Sequence, residues 1–332
     1  MKERLAYIDF AKGIGIYLMV LCHAGLHNMF TAWIYAFHMP LFWVISGYCY
    51  KNCPPPSSIS GFVSKKTKQI LVPYLLFSLI YCFGDKGYRD WALVFYASRN
   101  SLSMANSCTP LWFLPSFFVS VVSYRILLQY MMNSKERTLV CTVLGCLGIW
   151  CSLNDNCSFI GFPLSVNVAL VGIFLMECGN LIHTIEERVH HAHFLFFVAG
   201  LTGCLTFMMN LPTSLTPGNP HVEMAIGSFG NPLLFLFNSV SLCGLLIVFS
   251  FFANKHTCRL YKIVEYYGQN TLSVLCLHPL ALTLSLGAMH YIPSYLQNDI
   301  LTSVMASIIS MIVIPPVIKI MNIFVPNMLG KS

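Results

Sequence analysis

The stretch that decides the fold is residues 232–252, PLLFLFNSVSLCGLLIVFSFF, which contains no charged side chain. As an α-helix rising about 1.5 Å per residue, it would be about 32 Å long. That length matches a bilayer hydrocarbon core about 30 Å thick. Only helices and closed barrels pair all their backbone groups inside hydrocarbon, and the ten-residue alternation of barrel strands is absent. The stretch therefore predicts a transmembrane helix.

Similar apolar runs recur along the whole chain. Hydrophobic residues make up 56% of the 332 residues and charged residues 9%, against roughly 25% charged in an average soluble domain. Spans are predicted near residues 8–28, 33–50, 69–83, 111–131, 138–153, 163–183, 194–210, 232–252, 269–287 and 300–319. The sequence thus predicts an all-α polytopic membrane protein with about ten transmembrane helices. We expect one transmembrane domain over residues 1–332, with the lipid bilayer as its constant partner.

The distribution of basic residues predicts the orientation. With the N-terminus inside, the cytoplasmic segments carry fourteen of the nineteen Lys and Arg residues, and the outer segments carry three. Because cytoplasmic loops are enriched in Lys and Arg, both termini and the loop at 51–68 are predicted to be cytoplasmic. The loop at 211–231 is predicted to be outside. The net charge of +7 then reflects topology and lipid headgroups, and no nucleic-acid partner is expected.

The first span carries ionisable side chains that are costly in a bilayer and therefore mark candidate functional sites. Lys12 and His23 are eleven residues apart, so about 20° of rotation separates them and they share one helix face, about 16 Å apart along the axis. Asp9 precedes Lys12 by three residues, within pairing distance on a helix. His38, at the start of the second span, is expected at the depth of His23. Asp9, His23 and His38 are our candidate catalytic residues.

Structural roles remain open for the same residues. Asp9 and Lys12 also fit an ion pair at the inner interface, and His23 and His38 also fit two core histidines with hydrogen-bond partners. Further along the chain, a buried pair between Arg125 and Glu177 would serve as a clamp or as part of a site. The 14 cysteines include no Cys-x-x-Cys pair, and no Cys/His ligand spacing is present, so no metal site is expected.

Two segments near the N-terminus resemble a known family. Residues 4–23, RLAYIDFAKGIGIYLMVLCH, place a basic residue, ten residues and then a histidine, with Lys12 and His23 at the two ends. Residues 37–48, FHMPLFWVISGY, resemble the next motif of that family. Weaker matches follow in order at 71–74, 111–114, 172–180 and 268–278 (GQNTLSVLCLH). The chain resembles the membrane acyltransferase-3 family of sugar and polysaccharide O-acetyltransferases, closest to its short branch related to fucose O-acetylases.

The resemblance implies transfer of an acyl group, usually acetyl from acetyl-CoA, to a hydroxyl of a sugar, polysaccharide or glycolipid at the cell membrane. His23 would be the general base, since histidine titrates near neutral pH, or it would carry the acyl group itself. His38 would orient the acceptor or help at the oxyanion. Lys12, Lys65 and Lys68 would hold the phosphates of CoA, although many relatives have arginine at the position of Lys12.

Two other classes of function stay open at this stage. An exporter of polysaccharide or lipid-linked sugar would use the same polar groups along a transport pathway. Such transporters are built from internal repeats with broken helices at the membrane midplane, and we find neither pattern clearly. A structural partner in a cell-envelope complex would leave the polar face of the first span unexplained. The oligomeric state is not predicted.

Overall fold

The computed structural model describes residues 5–26, 28–50, 58–85, 91–104, 106–131, 133–154, 160–214, 222–256, 258–289, 298–325 and 329. Helix is the dominant regular structure in these residues, which contain no β-strand longer than an isolated bridge. The first eight helices are α1 Ala6–His23, α2 Met29–Tyr35, α3 His38–Tyr50, α4 Ile59–Lys66, α5 Val72–Asp85, α6 Trp91–Tyr96, α7 Arg99–Met104 and α8 Phe113–Tyr130. The others are α9 Ser134–Leu153, α10 Val166–Arg188, α11 Ala192–Ser214, α12 Pro232–Ala253, α13 Arg259–Gln269, α14 Thr271–Met289 and α15 Asp299–Phe324.

Nine helical stretches in the described part of the chain are long and apolar enough to cross a bilayer. They are Ala6–His23, Met29–Tyr50, Cys108–Tyr130, Ser134–Leu153, Pro163–Arg188, Ala192–Asn210, Pro232–Ala253, Thr271–Met289 and Asp299–Phe324. The prediction of an all-α polytopic membrane protein is therefore confirmed, with each of the nine overlapping one predicted span. The predicted orientation of the termini stays a prediction.

One of the ten predicted spans, at residues 69–83, is helical but is not one of the nine stretches. It lies within a helical run made of α4, a π-helical segment at Thr67–Leu71, and α5. The 14 residues of α5 would measure about 21 Å at 1.5 Å per residue, which is short of a hydrocarbon core of about 30 Å. The lysines that precede α5 shorten the apolar stretch because each would have to leave the hydrocarbon.

The chain forms two compact units by its internal contacts. The first unit comprises Met1–Phe42, Glu186–Val222 and Gly230–Ile320, and the second comprises Trp43–Ile185, Glu223–Phe229 and Met321–Ser332. The prediction of a single transmembrane domain over residues 1–332 stays a prediction.

Glycines let α13 approach α1 closely within the first unit. A Cβ atom at Gly13 would collide with the backbone carbonyl of Val264, and one at Gly268 would collide with the carbonyl of Asp9. Phe10 stacks on Tyr261 at the same contact, with ring centroids 4.4 Å apart and planes 6° apart. Backbone-to-backbone packing of this kind is favoured in membranes, where association rests on van der Waals contact. It brings α13 against the segment of α1 that carries the ionisable residues.

Candidate active site

The first group of site residues is an ion pair near the start of α1. Lys12 Nζ donates to Asp9 Oδ1 at 3.3 Å. The Asp9 side chain is 3% exposed, and that of Lys12 is 29% exposed. The i, i+3 pairing predicted from the sequence is therefore present. The Asp9 carboxylate is buried, whereas the Lys12 side chain is partly exposed. Such an arrangement leaves Lys12 able to contact a second anion.

The helix α13 borders this ion pair. The phenol of Tyr261 donates to Asn254 Oδ1 at 2.8 Å. Burial, and then the nearby Glu265 and Asp9 carboxylates, raise the pKa of Tyr261 to about 12. Tyr261 is therefore a neutral hydrogen-bond donor at ordinary pH.

The second group is a pair of histidines at the other end of α1. His23 is the last residue of α1 and is exposed, whereas His278 on α14 is fully buried. The distance between His23 Nδ1 and His278 Nε2 is 3.1 Å, and the two rings are stacked with centroids 5.0 Å apart. His23 Nδ1 also lies 3.1 Å from the sulfur of Met19. Both contacts of His23 thus involve the same ring nitrogen.

The proline after His278 explains which nitrogen carries the proton. Pro279 has no N–H, so it cannot donate to the carbonyl of Leu275 four residues before it. That carbonyl accepts a hydrogen bond from His278 Nδ1 instead, at 2.8 Å. A neutral imidazole has one donor and one acceptor nitrogen, so Nε2 of His278 is the acceptor and His23 Nδ1 must donate to it. The lone pair of His23 is then on Nε2.

His38 has a similar local setting at the start of α3. It is 3% exposed, and its Nδ1 donates to the carbonyl of Ile34 at 2.9 Å. The ring of Tyr35 packs against it edge-on, with centroids 5.1 Å apart. Two residues later Pro40 cannot bond the carbonyl of Ala36, and Ser239 on α12 donates to that oxygen at 2.7 Å. Because Nδ1 donates to the carbonyl of Ile34, His38 is held in one tautomer, with its acceptor lone pair on Nε2.

The predicted phosphate ligands Lys65 and Lys68 belong to the second unit. Lys65 is in the last turn of α4 and Lys68 is in the π-helical segment that follows it. Both side chains are exposed. The structure thus joins Asp9 to Lys12 within the first unit and places Lys65 and Lys68 on another part of the chain.

The partner predicted for Glu177 was Arg125, and the structure gives it Arg137. Arg137 Nε and Nη2 donate to the two Glu177 oxygens at 3.0 and 3.2 Å. Tyr124 and Thr138 donate to the same carboxylate at 2.7 Å each. The guanidinium of Arg125 instead lies 5.6 Å from the ring centroid of Tyr50. Four donors satisfy this buried carboxylate, so the cluster has the character of a structural clamp.

These features define a polytopic membrane protein in which two histidines from different helices contact each other through their ring nitrogens. The family model described as an acyltransferase domain, acyltransferase family 3, matches residues 5–319. The chain belongs to this family, as its motifs indicated. It is also similar to the nodulation protein NolL of Mesorhizobium japonicum, with 28% identity over 138 residues. That match covers 37% of this chain and only about a third, 35%, of NolL.

His278 is the site residue that sequence reasoning did not select. It closes the last matching segment, residues 268–278, but its spacing from His23 carries no helical register because 255 residues separate them. The signal was the dipeptide His278-Pro279 inside an apolar span. A proline there frees a carbonyl, and a histidine beside it can donate to that carbonyl.

Proposed function

We propose that this membrane acyltransferase transfers an acetyl group from acetyl-CoA to a hydroxyl of a sugar, polysaccharide or glycolipid at the cell membrane, with His23 as general base. The observation that carries the proposal is the hydrogen bond between His23 and His278. It holds an exposed histidine with its basic nitrogen, Nε2, outside the pair. A general base needs such a nitrogen within reach of the acceptor hydroxyl.

The proposed reaction is direct transfer. His23 Nε2 takes the proton of the acceptor hydroxyl while the hydroxyl oxygen attacks the thioester carbonyl carbon. The tetrahedral intermediate then expels the thiolate of CoA, which receives the proton from the His23 imidazolium. The new ester and the free thiol balance the starting alcohol and thioester. This sequence requires no covalent enzyme intermediate.

His278 supports the charge that forms on His23 in this step. When Nε2 takes a proton, the Nδ1–H of His23 becomes a stronger donor to His278 Nε2. The carbonyl of Leu275 accepts from the other side of His278 at 2.8 Å. A buried group that orients and stabilises a histidine base performs the same task as the carboxylate of a serine–histidine–aspartate triad. His278 is therefore a positioning residue in this mechanism.

Lys12 is proposed to hold a phosphate of the acyl donor, and Asp9 to position the Lys12 ammonium group. The axial distance of about 16 Å from Lys12 to His23 suits an extended pantetheine arm that carries the acetyl group along α1. Lys65 and Lys68 are proposed as further phosphate contacts, because both are exposed and cationic. His38 is proposed to orient the acceptor through Nε2, since its Nδ1 is held by Ile34.

The test is incubation of membranes containing the protein with radiolabelled acetyl-CoA and a panel of glycans. Label should enter an alkali-labile ester on a glycan, and His23→Ala should lower kcat by about 10²–10⁴-fold, the usual contribution of a general base. His191→Ala is the matched control, because His191 is exposed outside the spans and should have no effect. Transfer at the wild-type rate by His23→Ala would remove His23 from the mechanism.

A further inference from the structure

An apolar groove of about 620 Å³ lies in the first unit, apart from the histidine pair. It is lined by side chains of α1, α11 and α12 and of the segment around α2, among them Leu18, Phe37, Phe197, Leu246 and Phe252. Apart from His193, every side chain that lines it is a hydrocarbon or an aromatic ring. The buried part of a ligand in this groove therefore contacts an almost entirely apolar surface.

The groove has the length of one bilayer leaflet. On α12 its lining runs from Leu242, near the middle of the helix, to Phe252 near the end. Ten residues correspond to about 15 Å along the helix axis, which is half of a hydrocarbon core of about 30 Å. The Sγ of Cys243 contacts the carbonyl of Phe37 at 3.8 Å, which places Phe37 beside the middle of α12. One end of the groove is therefore at the midplane and the other at a membrane surface.

The surface end of the groove carries a cation. The ammonium group of Lys255 lies 4.9 Å from the ring centroid of Phe252 and 5.6 Å from that of Phe251. His193 stacks on Phe251 with centroids 4.5 Å apart, and its Nε2 is 3.0 Å from Glu186 Oε1. Glu186 is thus engaged by His193, and Lys255 is exposed beyond it. An apolar slot that ends at an exposed cation complements an amphiphile with an anionic headgroup.

We infer that this groove binds one hydrocarbon chain of an anionic phospholipid from the leaflet that Lys255 faces. The chain fills the slot between α1, α11 and α12, and Lys255 contacts the headgroup phosphate. Burial of a lipid chain contributes in proportion to the number of CH₂ groups removed from water, but a chain in bulk lipid gains the same burial. The selectivity of the site therefore comes from the headgroup charge and from the fit of the chain. This site is independent of the proposed acetyl transfer.

The test uses the full chain in nanodiscs of equal phosphatidylglycerol and phosphatidylcholine, followed by native mass spectrometry of the released protein. Wild-type protein should retain one phosphatidylglycerol. Lys255→Gln should reduce the preference for phosphatidylglycerol about fivefold, because a Lys near an anionic surface contributes about 1 kcal/mol and 1.4 kcal/mol is tenfold. Leu246→Trp should abolish retention by filling the groove. Leu201→Trp, on the exposed face of α11, is the matched control and should retain the lipid.

Several outcomes would overturn the inference. Equal retention by Leu246→Trp and Leu201→Trp would mean that the lipid is an ordinary annular one. Equal retention of both phospholipids by wild-type protein would remove the role of Lys255. A retained species with another mass would assign the groove to a different amphiphile, and a dimer lost only in Leu246→Trp would assign it to a second copy of the chain. Lys255 is exposed, so its variant remains informative if Leu246→Trp does not fold.

Discussion

At the scale of single residues, the two nitrogens of His278 have different partners, and this difference selects the basic nitrogen of His23. His278→Ala removes the acceptor for His23 Nδ1–H and should lower kcat about 10- to 150-fold with little change in KM. This range corresponds to a hydrogen bond to a charged group, about 1.5–3 kcal/mol, at 1.4 kcal/mol per tenfold. His278→Gln keeps an acceptor oxygen and should recover part of the rate. Steady-state kinetics of the three proteins provide the measurement.

A packing role for His278 predicts a different pattern. The thermal midpoint would then fall in both variants, and kcat would follow stability with no advantage of glutamine over alanine. The pH profile gives a second criterion, since the glutamine side chain, unlike an imidazole, does not take up a proton in this range. An acid limb of the kcat profile that is identical in wild type and His278→Gln would contradict the proposed coupling.

The role of Lys12 is the other question at this scale, because Lys12 already pairs with Asp9. If Lys12 holds a phosphate of CoA, Lys12→Ala should raise the donor KM about 10- to 150-fold, from the same range for a charge-assisted contact. Loss of kcat should be smaller, in contrast to His23→Ala. Lys12→Arg should keep much of the activity. Donor KM and CoA affinity of these variants are the measurements.

The structural alternative for Lys12 has its own signature. If Lys12 only neutralises the buried Asp9 carboxylate, Lys12→Ala should lower the thermal midpoint, because a buried charge is then left without its partner. Asp9→Asn in the same chain should restore part of that stability. Unchanged CoA affinity together with this rescue would leave Lys12 a structural residue and would move the donor site to Lys65 and Lys68.

Sequence periodicity was sufficient for the residues that share one helix. The i, i+3 pair of Asp9 and Lys12 follows from helical spacing, and so does the common face of Lys12 and His23. It was insufficient for contacts between helices, because tertiary packing determines those. His278 reaches His23 across 255 residues, and Glu177 pairs with Arg137 although Arg125 also stood at the predicted depth. Both outcomes depend on how the helices pack.

At the scale of helices, three prolines in the first unit share one hydrogen-bonding arrangement. Each lacks an N–H, so the carbonyl four residues earlier has no backbone donor from it. In each case a side chain donates a hydrogen bond to that carbonyl. His278 donates to the Leu275 carbonyl before Pro279, Ser239 to the Ala36 carbonyl before Pro40, and Tyr267 to the Met311 carbonyl before Pro315. Side chains commonly satisfy such backbone groups in membranes. The carbonyls that precede the prolines therefore fix the positions of these side chains. Of the three side chains, His278, beside Pro279, is the one that contacts His23.

This hydrogen-bonding arrangement leads to a prediction for α14. Pro279→Ala supplies a backbone N–H that competes with His278 Nδ1 for the Leu275 carbonyl. Stability should rise, because a proline inside a helix costs about 3 kcal/mol, whereas kcat should fall since the tautomer of His278 is less firmly set. The carbonyl has two lone pairs, so the loss should be smaller than in His278→Ala. Thermal midpoint and kcat are measured together.

Pro315→Ala is the matched control for this variant. It changes the same kind of position in α15, where the freed carbonyl is bonded by Tyr267 at 2.6 Å and not by a histidine of the pair. It should raise the thermal midpoint without lowering kcat. A fall of kcat in both proline variants, or in neither, would separate the activity from the hydrogen bond between His278 and Leu275.

At the scale of the whole molecule, apolar run length predicted the membrane-spanning architecture because a bilayer imposes a minimum helix length. The run at residues 69–83 is helical but is not among the nine stretches, and its assignment as a span stays a prediction. Apolar run length gave no sign that the contacts would divide into two compact units. Run length reports on each helix alone, and the grouping of helices depends on which faces meet.

The orientation of the molecule is the last prediction, and it rests on the fourteen-to-three asymmetry of basic residues between the two sides. In single-cysteine variants, an impermeant maleimide added to intact cells should label Ile226→Cys, in the predicted outer segment, and should not label Ser60→Cys at the start of α4. Native Cys258, exposed just before α13, is the matched inner position and should react only after permeabilisation. All three sites are in described segments outside the nine spans, so accessibility depends on the side of the membrane. Labelling of position 60 in intact cells would reverse the orientation and would place Lys65 and Lys68 away from cytoplasmic acetyl-CoA.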